Sequence, residues 1–218
     1  GADRIRGATV VDVGSGSGLF SLAAMRLGAA RVHSFDYDAD SVACTAELRR
    51  RYFPDSPAWT VEQGSALDAD YLSRLGQFDV VYSWGVLHHT GDMWRALDLA
   101  ASLVAPGGRF FIAIYNDQGP WSRFWTGVKR FYNRGTPHRW LIEGVFMSYW
   151  MARGAAVDVL VRRKNPFRRY EEYRAERGMT MFHDWRDWLG GYPFEVATPE
   201  RIFEFGKARG FVLDKLKT

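Results

Sequence analysis

Three glycines at alternate positions, Gly14, Gly16 and Gly18, follow directly on the apolar run Thr9-Val10-Val11-Asp12-Val13. A β-branched run of this kind reads as a central parallel strand, buried on both faces. Residues without a Cβ then let the backbone turn sharply and lie against a ligand. Dinucleotide sites use a similar turn to place an anion at the next helix's N-terminus, but their fingerprint puts the third glycine three positions after the second. Here Gly18 comes two after Gly16 and is followed by Leu19, which disfavours NAD. A second strand, Arg31 to Phe35, ends at Asp36, roughly twenty residues beyond the turn, where a strand-tip carboxylate can accept both hydroxyls of a ribose.

The elements that position these residues alternate. Strands are predicted at Thr9 to Val13, Arg31 to Phe35, Trp59 to Gln63, Phe78 to Ser83 and Arg109 to Tyr115. Helices are predicted at about Ser17 to Leu27, Ser41 to Arg51 and Ala69 to Leu75, and in a fourth stretch where Trp94, Leu97, Ala101 and Val104 recur at helical spacing until Pro106-Gly107-Gly108 stops it. Strand-helix alternation predicts a parallel sheet with right-handed crossovers. Near the C-terminus, Thr198-Pro199-Glu200 opens a helix with a cap and a first-turn proline, and Phe211 to Lys217 is predicted as a closing strand.

The ordered segments VDVGSGSG, SFDYD, QGSALD, FDVVYSWGVLHH and LVAPGGRFFIAIYN together resemble the class I S-adenosylmethionine-dependent methyltransferases over roughly residues 7 to 117. The small-molecule branch that includes quinone-biosynthesis methylases is the most similar in flavour. The resemblance implies an α/β, Rossmann-like, doubly wound and mainly parallel sheet of order 3-2-1-4-5 plus a C-terminal strand. It implies S-adenosylmethionine as cofactor and S-adenosylhomocysteine as product. Gly14, Ser15, Gly16 and Gly18 would lie against the methionine part, with Asp12 turned toward its ammonium. Asp36 would take the ribose, and Tyr37 would pack on adenine. Where the family commonly carries an acidic residue against the adenine amino group, this chain has Ser65, so the backbone of Ala66 is left to serve the ring. Ser83, Trp84 and Leu87 would border the methyl.

Methyl transfer from a sulfonium is an in-line displacement that asks mainly for positioning. His88, His89 and Asp117 are candidates for a base, since a histidine can accept a hydroxyl proton near neutral pH. Asn116, Trp121, Trp125, His183, Tyr192 and Glu195 are candidates for the acceptor side. The Asn/Asp-Pro-Pro-aromatic motif of enzymes that methylate nucleobase amines or glutamine is absent after the fourth strand. No Cys/His grouping has metal-ligand spacing, so no metal is expected.

At 218 residues, one α/β domain with an insertion is expected: a cofactor-binding core at 1–117, a helical lid or substrate-binding insertion at 118–194, and a helix and strand at 195–218 completing the core. The insertion holds 17 of the 34 aromatic residues and six of the nine tryptophans, too many for a passive loop. It also carries fourteen Lys/Arg against seven Asp/Glu, leaving fifteen against eighteen elsewhere. Trp121, Phe124, Trp125, Val128 and Tyr132 fall on one helical face with Arg123, Arg130 and Arg134 opposite. A second helix, Trp140 to Val161, could pack on the first, line a greasy pocket or rest on a membrane surface.

The single cysteine, Cys44, excludes an internal disulfide and is expected to be buried. No apolar run approaches a membrane span and no secretory pattern opens the chain, so a cytoplasmic location is expected. The sequence starts almost at its first strand and lacks the family's last antiparallel strand, which suggests a fragment. Three functions are weighed: a methyltransferase for a small hydrophobic or aromatic acceptor, with O-methylation slightly ahead; an RNA-modifying or RNA-binding protein of the same fold; and a cofactor-binding protein without transfer. Nothing indicates an oligomeric state.

Overall fold

The computed structural model describes residues 4–177 and 180–218. Two compact units emerge, one of residues 1–117 with 195–218, the other of 118–194.

The first unit is built on strands β1 (Thr9–Val13), β2 (Arg31–Asp36), β3 (Trp59–Gln63), β4 (Phe78–Trp84) and β5 (Val104–Ala113), all parallel in the order β3-β2-β1-β4-β5. Val11 of β1 pairs with His33 on one side and Val81 on the other, which makes the VVDV run the middle of the sheet. Its alternate residues feed opposite faces, as the two-residue period of a strand requires. Val10, Val32, Trp59 and Val80 pack with Leu22 and Met25 of helix α1 (Leu19–Arg26) and, at the margin, Leu48 of α2 (Ala39–Tyr52). Val11, Val13, Phe35, Phe78 and Val81 pack with Leu72 of α3 (Ala69–Leu75) and with Met93, Ala96, Leu97 and Ala100 of α4 (Met93–Ser102). Ile202 and Phe205 of a later helix, Pro199–Ala208, join the same layer.

Aspartates and a threonine start the helices where the amides of the first turn need acceptors. Asp38 takes Ser41 N at 2.8 Å, Asp68 takes Tyr71 N at 2.9 Å, and Thr198 takes Arg201 N at 3.4 Å. Pro106-Gly107-Gly108 does not end the fourth helix as expected. That helix stops at Ser102, and the three residues bulge inside β5, where Phe78 pairs with Val104 but Val80 with Arg109. Such a bulge accepts a proline and a glycine at positive φ, here Gly107 at 76°.

Two further expectations are corrected. Residues 211–218 form no strand. The amide of Phe211 closes the preceding helix on Gly206 O at 3.0 Å, its ring rests near Phe110, and Asp214 is drawn to Arg4 and Arg109. Val212, Leu213 and Leu216 are all exposed, so neither face of the segment meets a core. Cys44 is exposed rather than buried, because Thr45 is the residue that α2 turns inward.

The second unit is helical: α5 (Pro120–Tyr132), α6 (Thr136–Ala156) running into a π turn at Val157–Val161, α7 (Arg168–Arg177) and α8 (Met181–Gly190). Its core is aromatic. Trp125 meets Trp188 at 4.4 Å and Phe146 at 5.2 Å, and Trp150 meets Trp185 at 5.1 Å and Trp188 at 5.9 Å between ring centres. The inward face of α5 is offset from the predicted one. Ser122, Lys129 and Tyr132 are buried while Trp121 and Phe124 are exposed. No helix among the described residues is long and apolar enough to cross a membrane.

Candidate functional site

In an open parallel sheet, ligands bind beyond the carboxyl ends of the strands, at the point where strand order reverses. Here that point lies between β1 and β4, and the Gly14 to Gly18 turn sits on it. Gly14 N and Ser15 N donate to Phe35 O at 2.9 and 3.0 Å, tying the turn to the end of β2. Ser15 Oγ lies 3.1 Å from Thr45 Oγ1, which in turn donates to Gly16 O at 3.1 Å. Two of the glycines are demanded by close approach: a Cβ at Gly14 would enter the Val86 side chain, and one at Gly18 would meet Thr45 at 2.8 Å, both at positive φ. A Cβ at Gly16 would meet no heavy atom within 4 Å, so the turn is open on that side.

Two carboxylates flank the turn. Asp36 Oδ2 accepts from Gly16 N at 2.9 Å, and its Oδ1 accepts from Asp38 N at 2.9 Å, which sets the carboxylate at the tip of β2. Tyr37, beside it, is 79% exposed. Asp12 lies beneath the turn and is buried. Burial pushes its carboxyl up from 3.8 to about 6, with the nearby Asp36 charge adding to the rise and the Ser21 hydroxyl opposing it.

Asp12 terminates a buried chain of hydrogen bonds that sequence inspection does not reveal. Trp59 Nε1 donates to Ser34 Oγ at 2.8 Å, Ser34 Oγ to Ser21 Oγ at 2.7 Å, and Ser21 Oγ to Asp12 Oδ2 at 2.5 Å. The four residues come from β3, β2, α1 and β1 and are all buried. A two-residue alternation places Ser34 and Asp12 on the same side of paired strands, and their register match would have been the only hint.

The other predicted residues take varied places. Ser65 Oγ accepts from Leu67 N at 3.2 Å in a tight turn, and Ala66 is buried in the core. Ser83 Oγ donates to Val13 O at 3.0 Å, fastening the end of β4 to the end of β1. Leu87 is fully buried, whereas Trp84 is exposed and stacks on Tyr82 at 6.1 Å with the rings 8° from parallel. His88 is buried with its ring 4.3 Å from His89 and 4.3 Å from Tyr115, while His89 is only partly buried. Asn116 and Asp117 are exposed and bridge to Ala197, whose carbonyl accepts from Asp117 N at 3.1 Å. Glu195 N donates to His88 O at 2.9 Å, and its carboxylate accepts from Met93 N at 2.9 Å, so this side chain caps α4. Burial and the charge of Asp92 raise its carboxyl, with the Met93 and Gly91 amides opposing.

Four predicted residues belong to the helical unit. Trp121 is 64% exposed, Trp125 packs edge-on to Trp188, His183 Nδ1 lies 2.6 Å from Thr180 Oγ1, and Tyr192 Oη accepts from Arg130 Nε at 3.1 Å. Lys129 is the residue the helical wheel missed. It is wholly buried, donates to Trp188 O, and holds its ammonium 4.3 Å from the Trp188 ring and 4.9 Å from the Phe194 ring. Burial lowers this amine from 10.5 to about 8, although Asp187 pulls the other way. Among the described residues no cluster of His, Cys, Asp or Glu could hold a metal ion.

Residues 1–196 match a family model described as a methyltransferase domain. The ribosomal protein L11 methyltransferase of Xanthomonas campestris is 34% identical over 117 residues, which is 52% of this chain and 34% of that protein. The ubiquinone biosynthesis O-methyltransferase of Parvibaculum lavamentivorans is 32% identical over 112 residues, 49% of this chain and 40% of that protein. The chain thus spans well under half the length of either relative. An S-adenosylmethionine-dependent methyltransferase from Mesorhizobium loti superposes with a TM-score of 0.43 at 26% identity, covering 51% of this chain and 49% of that one.

Proposed function

This chain belongs to the methyltransferase domain family matched over residues 1–196, and from that membership we propose that it transfers a methyl group from S-adenosylmethionine to a small hydrophobic or aromatic acceptor, with oxygen as the favoured nucleophile. The observation that carries the reading is the glycine turn at the β1/β4 switch point with one carboxylate beneath it and one at its rim.

The residues fit the cofactor chemically. Asp12, buried and short of positive charge, is suited to a ligand ammonium, directly or through water. Asp36, held by Gly16 N and Asp38 N, keeps lone pairs for a vicinal diol. Tyr37 offers an exposed ring face for adenine, with Ser65 and the Ala66 backbone at the ring edge; of the three residues expected at the far end only Trp84 is exposed, Ser83 and Leu87 being buried. Bound S-adenosylmethionine would supply an activated methyl on a sulfonium. The chain's own task is then to orient the acceptor, exclude water and hold the released proton. For that proton we favour His89, the partly exposed member of the His88-His89-Tyr115 cluster, with Asp117 as the alternative on the same strand edge. Asn116, exposed beside it, is the polar side chain we assign to the acceptor.

Calorimetric titration of the chain with S-adenosylmethionine and S-adenosylhomocysteine tests the cofactor. Micromolar binding is expected, and Asp36→Ala is expected to weaken it at least about tenfold by removing two charge-assisted hydrogen bonds. Absence of binding to both ligands would overturn the reading. Transfer of radiolabelled methyl into small molecules of a cell extract, rather than into its protein or RNA, tests the acceptor class. The curated relatives are named for a ribosomal protein and for ubiquinone biosynthesis, so label appearing in protein would move the acceptor to the first kind.

A further inference from the structure

The longest helix of the 118–194 unit has a face that nothing in that unit covers. Along α6 and its π turn, Leu141, Val145, Tyr149, Ala152, Ala156 and Leu160 are all exposed. At about 100° per residue these positions fall within roughly a third of the helix circumference, and no charged residue falls among them. The stripe is roughly 30 Å long at the helical rise.

The stripe ends at a basic tip. The connection between the π turn and α7 reads Arg162-Arg163-Lys164-Asn165-Pro166-Phe167-Arg168-Arg169, with five cations in eight residues. Leu160, Val161 and Phe167 are 77%, 75% and 75% exposed, and Arg163, Lys164 and Arg168 beside them are exposed too. The tip is nonetheless held in shape. Arg162 N donates to Val157 O at 3.0 Å in the π turn and Lys164 N to Asp158 O at 2.9 Å. The buried Asp158 carboxylate takes Arg169 Nε and Nη2 at 2.6 and 2.9 Å, with Arg162 Nη1 at 3.6 Å. Gly154, one turn earlier, leaves the space through which the Arg169 guanidinium passes. That clamp consumes Arg169 and part of Arg162 and leaves Arg163, Lys164 and Arg168 turned to solvent.

We propose that this unit docks on the surface of an anionic lipid bilayer, with the α6 stripe lying in the headgroup boundary, Leu160, Val161 and Phe167 entering the acyl region, and Arg163, Lys164 and Arg168 on the phosphates. An amphipathic helix with a cationic end is the arrangement such surfaces bind. A second copy of the chain is a poor occupant, because each copy brings the same cation-rich tip. A nucleic acid would use the cations and could stack on Tyr149 or Phe167, but it has no use for the aliphatic majority of the patch, Leu141, Val145, Leu160 and Val161. The inference stands apart from the cofactor reading and is tested without any activity.

The test is co-sedimentation of the full chain with vesicles of phosphatidylcholine alone and of phosphatidylcholine with one quarter phosphatidylglycerol. Binding is expected to the anionic vesicles only and should weaken as salt is raised. Each basic residue near such a surface is worth about fivefold in partition, so Arg163→Glu with Lys164→Glu is expected to lower binding by about twentyfold or more. Leu160→Ser with Phe167→Ser should lower it at least about tenfold while keeping the salt response. Circular dichroism verifies that both variants fold, and Arg50→Glu, on α2 of the other unit, is the variant expected to bind unchanged. Failure to bind anionic vesicles, equal binding to neutral ones, or binding unaffected by either double variant would overturn the proposal. It would also be overturned by a dimer that Val145→Glu dissociates, or by RNA binding that the charge reversal abolishes while vesicle binding is absent.

Discussion

Replacing Asp12 by asparagine should make the fold more stable near neutral pH and the cofactor site weaker. The carboxyl moves from 3.8 to about 6 on folding, chiefly because it is buried beneath the glycine turn. At about 1.36 kcal/mol per pH unit of displacement, an ionised Asp12 costs the fold about 3 kcal/mol. The sign follows from proton binding. Between pH 3.8 and 6 the native state holds this proton more tightly than the unfolded chain does, so stability falls as pH rises through that window and changes no further above it. Asparagine does not titrate, keeps the shape and can still accept from Ser21 Oγ. The stability of the variant minus that of the natural chain should therefore rise by about 2 kcal/mol between pH 4 and pH 7, the remainder lying below pH 4. Other titrating groups are shared and cancel in this difference. Urea denaturation of both chains at several pH values, followed by circular dichroism, measures it. A difference that stays flat across the window would refute the claim that burial strains this carboxylate. A variant that gains stability yet binds S-adenosylmethionine as tightly would refute its role toward the ammonium.

Gly18→Ala places a methyl on Thr45 at a φ of 76° and should destabilise the chain by about 1–3 kcal/mol in the same urea assay. Trp59→Phe removes the donor at the head of the Trp59-Ser34-Ser21-Asp12 chain and some buried volume, for a loss of about 2 kcal/mol, read from the urea midpoint. Lys129→Met should raise the thermal midpoint at pH 7. Because the native amine is lowered to about 8, the natural chain gains stability as pH rises from there to 10.5, and the advantage of the variant should shrink at pH 10.

Much of the first unit is legible residue by residue because its signals are local. The β-branched runs sit where β1 to β4 form, within a residue of the expected ends. The cap Thr198 starts the helix it was expected to start, since a side chain satisfies amides only a few positions ahead. The parallel direction of the strands follows from the alternation and the right-handed crossover rule, whereas the order β3-β2-β1-β4-β5 was expected only through the family resemblance. The helical unit is harder to read. Its aromatic residues announce a packed body, yet which of them face inward depends on neighbours far away in sequence, as Lys129 inside and Trp121 outside both show.

By itself, then, the sequence determined the alternating elements, the parallel direction of the sheet, and a glycine turn followed by an acidic strand tip, because periodicity, capping and φ preference act over a few residues. Only the tertiary structure decided what the polar residues do once those elements meet. It joined Asp12 to Ser21, Ser34 and Trp59 across four elements, turned Pro106 to Gly108 into a bulge, and left residues 211–218 outside the sheet. It also left one face of α6 uncovered above a cationic tip. The physical reason is the same in each case: burial and hydrogen-bond partners are properties of elements brought together from distant parts of the chain, and no local pattern carries them.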